Sequence, residues 1–400
     1  MKVEVIHVKK KLVSFIVATF AFANVTGVVA AKNYDSLPQA VWSQTTNADY
    51  IPIQEESFFV PGKETLYLHV GEERASETKV WSPDTLRAVD PKTGKVKWVF
   101  SFAKAGYGWP STEGPFAYAP DGTVYAYFSS EGLLYSVSPD GKENWSKRIG
   151  RELALSDGKL YRMGDGTLII AAQKSMKIGA ETVQFLSFDK NGKQKVSKVV
   201  SGKLNTVTKN QIAIEVVTKE GDTQKVDVYN SSLQRSFQYN FPKGTYVNFY
   251  TAFALDDGTF IFSVIPKPKT QKLIAVSPQG KTIWGRIIDQ FGFAFKAGSE
   301  YLVFNTHTKK ISLFNQEGLV KERILANLTL PEGDGLPTAN KTADGKLLVN
   351  LLSKQYIFDA KTLSTIHEFN QIKGTILDYR QNSVIVFSWQ ENKISMHLLN

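Results

Sequence analysis

Five histidines and no cysteine bound the chemistry open to this 400-residue chain. The missing cysteine excludes a thiolate nucleophile, a thiolate metal site and a disulfide scaffold. Outside the first 31 residues the imidazoles are His69, His307, His367 and His397. They show no metal-binding spacing such as His-x-x-x-His and fall in or beside predicted strands of different repeats, so they read as isolated structural residues. There is no Gly-x-Ser-x-Gly nucleophile turn and no Walker phosphate loop. Gly164-Asp165-Gly166 and Glu332-Gly333-Asp334-Gly335 superficially look like calcium loops. Neither has the alternating acidic ligands of an EF-hand, so the first reads as a hairpin turn and the second as a connecting loop. Glycoside hydrolysis needs a carboxylate pair about 5–10 Å apart, and the sequence shows none. Asn144-Trp-Ser and Asn327-Leu-Thr match the N-glycosylation pattern, which has meaning only in a eukaryotic host.

The elements that would have to position any site form a repeat. Residues 116–149 serve as the template, with four short runs: Phe116–Ala119, Val124–Phe128, Leu133–Val137 and Asn144–Ile149. Pro-Asp-Gly turns separate the first from the second and the third from the fourth, which reads as an up-and-down four-stranded sheet. The first turn recurs at Gly62, Gly122, Gly166, Asn210, Gly258, Gly298, Gly345 and Asn382, at intervals of 60, 44, 44, 48, 40, 47 and 37 residues. Gly and Asn are the residues that best tolerate positive φ. The long first interval contains an insertion, 71–85. The second turn recurs at Gly94, Gly141, Gly192, Gly280 and Gly318, and Trp98, Trp145 and Trp284 each stand four residues after such a glycine. A large ring at a fixed repeat position can cover the seam between neighbouring sheets.

Eight markers predict eight sheets, yet the last has only three strands in line: Thr375–Tyr379, Ser383–Ser388 and Lys393–Leu399. An orphan strand, Ala40-Val41-Trp42-Ser43-Gln44, precedes the first sheet. Ring closure follows, with this strand as the outer edge of the last sheet. The expected fold is all-β: an eight-bladed β-propeller of four-stranded antiparallel blades, as one domain over 32–400.

Residues 1–31 read as a secretory signal peptide. Lys9, Lys10 and Lys11 form the basic region, Leu12–Ala23 the apolar run, and Val29-Ala30-Ala31 a cleavage site after Ala30 or Ala31. The alternative is an uncleaved membrane anchor, which Asn24, Thr26 and Gly27 weaken. A secreted or cell-surface location follows, with no stable transmembrane anchor after cleavage. Net charge falls from +10 for the whole chain by the loss of four Lys and one Glu. The remaining positive charge favours anionic partners such as cell-wall polymers. Nucleic acid is not expected, and the chain is expected to be a monomer.

In an up-and-down blade the turns joining strands one to two and three to four share one face. Here that face is short and uniform. The other face collects the long segments 71–85, 103–115, 173–182, 265–271 and 327–337, and loops on a rigid scaffold are where binding usually sits. Trp81, Tyr107 and Trp109 are the aromatic candidates on it, and Lys174, Lys177, Lys267 and Lys269 the basic ones. The two tryptophans could equally pack their loops against neighbouring blades, and the lysines could be plain solubilising charge.

Leu86-Arg-Ala-Val-Asp90-Pro-Lys-Thr-Gly94-Lys-Val-Lys-Trp98 resembles the repeat of the pyrroloquinoline-quinone-type (PQQ-like) propeller family. The segments Leu134–Trp145 and Leu273–Trp284 are similar units; the likeness is partial at Asp189 and Asn315 and faint at Asn230 and Asp359. The resemblance implies a propeller and leaves function open. The family includes quinone-dependent alcohol and sugar dehydrogenases and non-enzymatic scaffolds. The alcohol dehydrogenases carry an adjacent cysteine pair, absent here, and no calcium-ligand and catalytic-aspartate set can be placed. The scaffold lipoprotein of outer-membrane assembly needs a lipid-bearing N-terminal cysteine, also absent. No cofactor is expected, with PQQ and calcium as the unsupported option. The leading expectation is an exported, non-enzymatic platform for a protein or an anionic cell-wall polymer. The alternatives are a quinoprotein dehydrogenase and a glycan-binding or glycan-active propeller.

Overall fold

The computed structural model describes residues 31–45, 57–59, 65–70, 84–105, 116–129, 131–149, 158–175, 180–217, 223–247, 253–255, 257–266, 271–287, 292–297, 299–305, 308–325, 338–342, 344–351, 354–370, 372–388, 390–391 and 393–399. They form eight antiparallel blades: 57–101, 116–148, 159–201, 203–240, 245–287, 292–324, 338–370 and 375–398. Ala40–Thr45 completes the eighth, antiparallel to Lys393–Leu398, with Trp42 opposite Met396 and Ser43 opposite Ser395. The ring therefore closes as the orphan strand predicts. In the template blade the observed strands are Phe116–Tyr118, Val124–Phe128, Leu133–Val137 and Glu143–Arg148, within a residue or so of the expected runs. The signal-peptide assignment lies outside the described residues. No described helix is long and apolar enough to cross a membrane.

The core is distributed over the seams. Each of eight clusters of buried residues joins two successive blades, as Leu66, Leu68 and Val89 of blade 1 meet Ile385, Phe387 and Met396 of blade 8. Blade middles therefore read as apolar on both faces. Leu66–Val70, Val124–Phe128 and Leu133–Val137 are buried throughout, whereas the outer strand Val96–Ser101 alternates. A two-sided blade needs such a pattern, because both faces pack on neighbours.

A latch spans the outer part of the seams. The indole N–H of Trp98 in blade 1 donates to the carbonyl of Pro139 in blade 2 at 2.7 Å. Trp145 donates to Lys190 of blade 3, Trp284 to Gln316 of blade 6, and Trp42 to Pro91 of blade 1. The rings of Trp42, Trp98 and Trp145 lie on the corner glycine of the next blade's outer hairpin, and a Cβ at Gly141 would stand 2.6 Å from the Trp98 ring. Glycine is needed there twice over, for contact and for its φ of +76°. Two seams use a different solution. The corners at Leu233 and Leu363 hold positive φ with buried leucines that fill the gap themselves. There the preceding blade supplies a cation: Lys198 Nζ donates to the Leu233 carbonyl at 2.7 Å and Arg323 Nη1 to that of Leu363 at 2.9 Å.

The seam between blades 7 and 8 has no outer hairpin to latch, because blade 8 ends its third strand at Leu398 and takes its fourth from Ala40–Thr45. The latch position of blade 7, four residues after its corner, is His367. Its ring lies 5.7 Å from Tyr34 and 5.5 Å from Tyr379. Tyr34 belongs to Lys32–Tyr34, a strand the sequence reading does not anticipate. It pairs in parallel with the outer strand of blade 7, and its ring stacks on Phe369. The N-terminal segment thus clasps both sides of the closing seam.

Burial, with Lys32 close by, pushes the His367 imidazole down to about 4. The unfolded chain gains a proton as pH falls through about 6.5 that the folded ring refuses until about pH 4. Stability is therefore full above that window and declines within it by about 3 kcal/mol. Denaturant unfolding of His367→Phe compared with the parent at pH 7 and pH 4.5 is expected to show a smaller acid loss in the variant.

Candidate functional site

Of the seven residues expected on the binding face, Trp81, Tyr107, Trp109, Lys177, Lys267 and Lys269 lie outside the described residues. Lys174 does not stand in a loop. The strand Leu168–Ser175 carries it, so the connection begins later than the sequence suggests. The reason is its pairing with Thr182–Phe188, which runs on past Gln173 through a bulge. Lys174 is exposed, while its neighbour Gln173 turns inward and donates from Nε2 to the carbonyls of Thr182 and Gly202. That amide ties the long-loop end of blade 3 to the inner strand of blade 4.

Beside this tie is a polar cluster the sequence gives no sign of. Glu215, near the end of Gln211–Val217, is 3% exposed and accepts a hydrogen bond from the Thr223 hydroxyl. Thr223 Oγ1 in turn accepts from the backbone N–H of Val247 in blade 5 at 3.1 Å. Burial pushes the Glu215 carboxyl above the usual carboxylate range; Glu181 adds to the rise, and Thr223, Lys203 and Asn205 oppose it. Such a group can hold a proton where an exposed glutamate has lost it. Its contribution to stability falls as pH rises through its titration, because the folded state resists ionisation. Glu215→Gln is accordingly expected to gain stability relative to the parent between pH 4 and pH 7, as measured by denaturant unfolding.

The described histidines are seated structurally. His69 Nε2 stands 3.2 Å from Asp84 Oδ2. His397 contacts Ser395 Oγ at 2.7 Å and the Pro38 carbonyl at 2.6 Å, which fastens the approach to the closing strand. His307 lies outside the described residues. Gly164-Asp165-Gly166 forms a hairpin turn, with Asp165 accepting from the Thr167 N–H at 2.9 Å; Glu332–Gly335 is not described.

The outer rim carries a different feature. Among the described residues no strand pairs with the outer edges of blades 1 to 6, whereas Lys32–Tyr34 covers that of blade 7. Most rim strands point polar or charged residues outward. On blades 5 and 6 the exposed positions include Ile283, Ile287, Leu319, Val320 and Ile324, with Ile287 73% and Ile324 63% exposed. In Thr282–Ile287 the outward positions are Ile283, Gly285 and Ile287, with no charge among them. Edges of this kind are normally blunted by lysine, proline or a bulge.

Residues 82–223 match the family model described as outer membrane protein assembly factor BamB. Over those residues the repeat is similar to that of the pyrroloquinoline-quinone-type propellers. Among solved structures, BamB from Moraxella catarrhalis is 11% identical, covering 90% of this chain and 99% of its own, with a TM-score of 0.52. The quinohemoprotein alcohol dehydrogenase from Comamonas testosteroni is 10% identical, with 90% and 76% covered and a TM-score of 0.46. Virginiamycin B lyase from Staphylococcus aureus is 14% identical, with 73% and 98% covered and a TM-score of 0.43. At such identities the likeness shows the fold alone. No curated protein matches the chain.

The PQQ-type repeat raises the question of a quinone with calcium. A calcium ion needs six or more oxygen ligands, usually with several carboxylates. Among the described residues no three His, Asp or Glu side chains converge on a point. The inner strands carry Lys159, Arg162, Lys203, Lys296, Lys341 and Arg380 against the one carboxylate Asp378. The described residues do not fit a quinone–calcium pair.

Proposed function

We propose that this protein is an exported, non-catalytic platform that binds an extended segment of a partner polypeptide on the rim of blades 5 and 6. The carrying observation is the edge Thr282–Ile287, whose outward positions Ile283, Gly285 and Ile287 carry no charge, beside the exposed Leu319, Val320 and Ile324 of blade 6. The occupant's chemistry has a precedent within the molecule. On blade 7 a strand, Lys32–Tyr34, already lies along the corresponding edge and stacks its tyrosine on Phe369. Strand addition draws affinity from backbone hydrogen bonds and specificity from alternate side chains. The match of residues 82–223 to an assembly-factor model supports a protein partner over a wall polymer and suits an exported protein.

The test is capture of a partner from envelope extract, followed by its purification and titration against the full chain. Ile283→Lys with Ile287→Lys is expected to abolish saturable binding while leaving the unfolding free energy within about 1 kcal/mol of the parent, since both sites are exposed. Binding unaffected by the pair of lysines would remove the rim from the account. Dye reduction by the protein loaded with the quinone and calcium would overturn the non-catalytic reading.

A further inference from the structure

Among the described residues the seam between blades 8 and 1 lacks a ring that three other seams hold. In blade 1, cross-strand pairing sets Tyr67, Ala88 and Trp98 in one row. In blade 2 the same row is Tyr125, Ser136 and Trp145. In both, tyrosine and latch tryptophan are neighbours, with ring centroids 5.7 Å and 6.1 Å apart. Blade 5 has Ile261 in the tyrosine position, and Tyr301 of blade 6 stacks on Trp284 instead, at 5.8 Å and 19°. In blade 8 the row is Ile385, Met396 and Trp42. Trp42 has no ring beside it among the described residues.

A cavity of about 230 Å³ opens at Ile385 and Met396 of this row, with Pro91 as its third apolar wall; the Trp42 ring is not part of its lining. Pro91 matches Pro139, the proline beside the Tyr67 hydroxyl in the blade 1–2 seam: Trp42 donates to the one carbonyl and Trp98 to the other. Polar groups ring the opening, among them exposed Lys92 and Gln381, Ser383, and the Asp378–Arg380 pair joined at 2.7 Å. In blade 1 the Tyr67 hydroxyl reaches the Gly122 carbonyl at 3.3 Å, so an apolar slot with a polar end is what the native tyrosine uses.

We infer that this cavity is a binding site for one aromatic side chain, tyrosine above all, presented by a partner polypeptide. The incoming ring would lie against Ile385, Met396 and Pro91. An aromatic body desolvates well in such a slot, and its polar tip needs the partner that the rim of the cavity supplies. The site is on the short-turn face, between blades 8 and 1, away from the rim of blades 5 and 6. It stands or falls separately from that surface.

The chain has four methionines, so methyl-labelled methionine gives a simple NMR spectrum in which Met396 reports the cavity and buried Met163 serves as control. The full-length protein is titrated with N-acetyl-tyrosinamide, N-acetyl-leucinamide and p-cresol. The expected result is a saturable ring-current shift of Met396, and not of Met163, with the tyrosine amide, and an affinity at least about tenfold weaker for the leucine amide. Ile385→Tyr puts a tyrosine at the row position it holds in blades 1 and 2, here beside Met396 in place of Ala88 or Ser136, and denaturant unfolding checks that the variant folds. It is expected to shift Met396 by itself and to abolish the response to the probe. Absence of a Met396 shift in the parent, or a shift that persists in Ile385→Tyr, overturns the site. A response to p-cresol without one to the tyrosine amide overturns the polypeptide source and leaves a free phenol. In each of these cases capture of a partner on blades 5 and 6 is unaffected.

Discussion

Deleting residues 32–45 is expected to cost more than about 5 kcal/mol of unfolding free energy, the largest effect of any short truncation in this ring. The deletion removes Ala40–Thr45 from the outer edge of blade 8 and Lys32–Tyr34 from blade 7. Trp42, 9% exposed, is lost from the cluster that holds Leu66, Val89 and Ile385 together. Replacing a buried tryptophan by alanine alone costs about 3–5 kcal/mol, so Trp42→Ala should reproduce most of the loss. The loss of the Lys32–Tyr34 strand adds the Tyr34–Phe369 stack and the Asn370–Asp35 hydrogen bond at 3.1 Å. Denaturant titration of the deletion, of Trp42→Ala and of the parent orders the three. A deletion as stable as the parent would contradict a ring held shut by its N-terminal segment.

Gly141→Ala is expected to cost about 2–4 kcal/mol, far more than an ordinary exposed turn substitution. The new Cβ meets Trp98 at 2.6 Å, and the residue holds a φ of +76°. Gly345 separates the two causes. Its φ is +78°, and nothing stands within 4 Å of the place a Cβ would take. Gly345→Ala therefore carries only the backbone term, about 1–2 kcal/mol. The difference between the two variants, read from denaturant midpoints, measures the tryptophan contact. Equal losses would mean that the indole moves aside freely and that the latch contributes little.

The architecture was legible because its signals are local. Asp-Gly corners and short alternating runs are set by backbone conformation at single positions, and they repeat at a pitch that only a stack of similar sheets explains. The orphan strand with Trp42 is legible for the same reason: a tryptophan at the third position of an outer strand has a recognisable partner corner. Where likeness to the repeat fades, at Asn230 and Asp359, the corner residue is Leu233 or Leu363 in place of glycine, and the seam is filled from the opposite side. A sequence pattern built on Gly and Trp is blind to that exchange. Lys32–Tyr34 escaped notice because three residues carry no periodicity, and their pairing with blade 7 spans more than 300 positions.

The sites were less legible because they arise between blades. Glu215 joins Thr223, and Thr223 joins Val247 of the next blade; the sequence shows three unremarkable residues. Lys174 looked like a loop residue because nothing local reveals that its strand is longer than those of the template. The cavity beside Met396 depends on Ile385 standing in a row where Tyr67 and Tyr125 stand elsewhere, and that row appears only once strand register is known.

Closure of the ring by its own N-terminus is most directly tested by a cross-link. Ser43 faces Ser395 across the final strand pair, and the natural chain has no cysteine to compete. Ser43→Cys combined with Ser395→Cys should form an intramolecular disulfide in the folded protein under mild oxidation, since directly opposed strand residues lie within disulfide reach. Peptide mapping is expected to find residues 43 and 395 joined in nearly all molecules, and not after prior unfolding in denaturant. A native double variant whose thiols both remain free, or pair only between molecules, would contradict the closed eight-bladed ring.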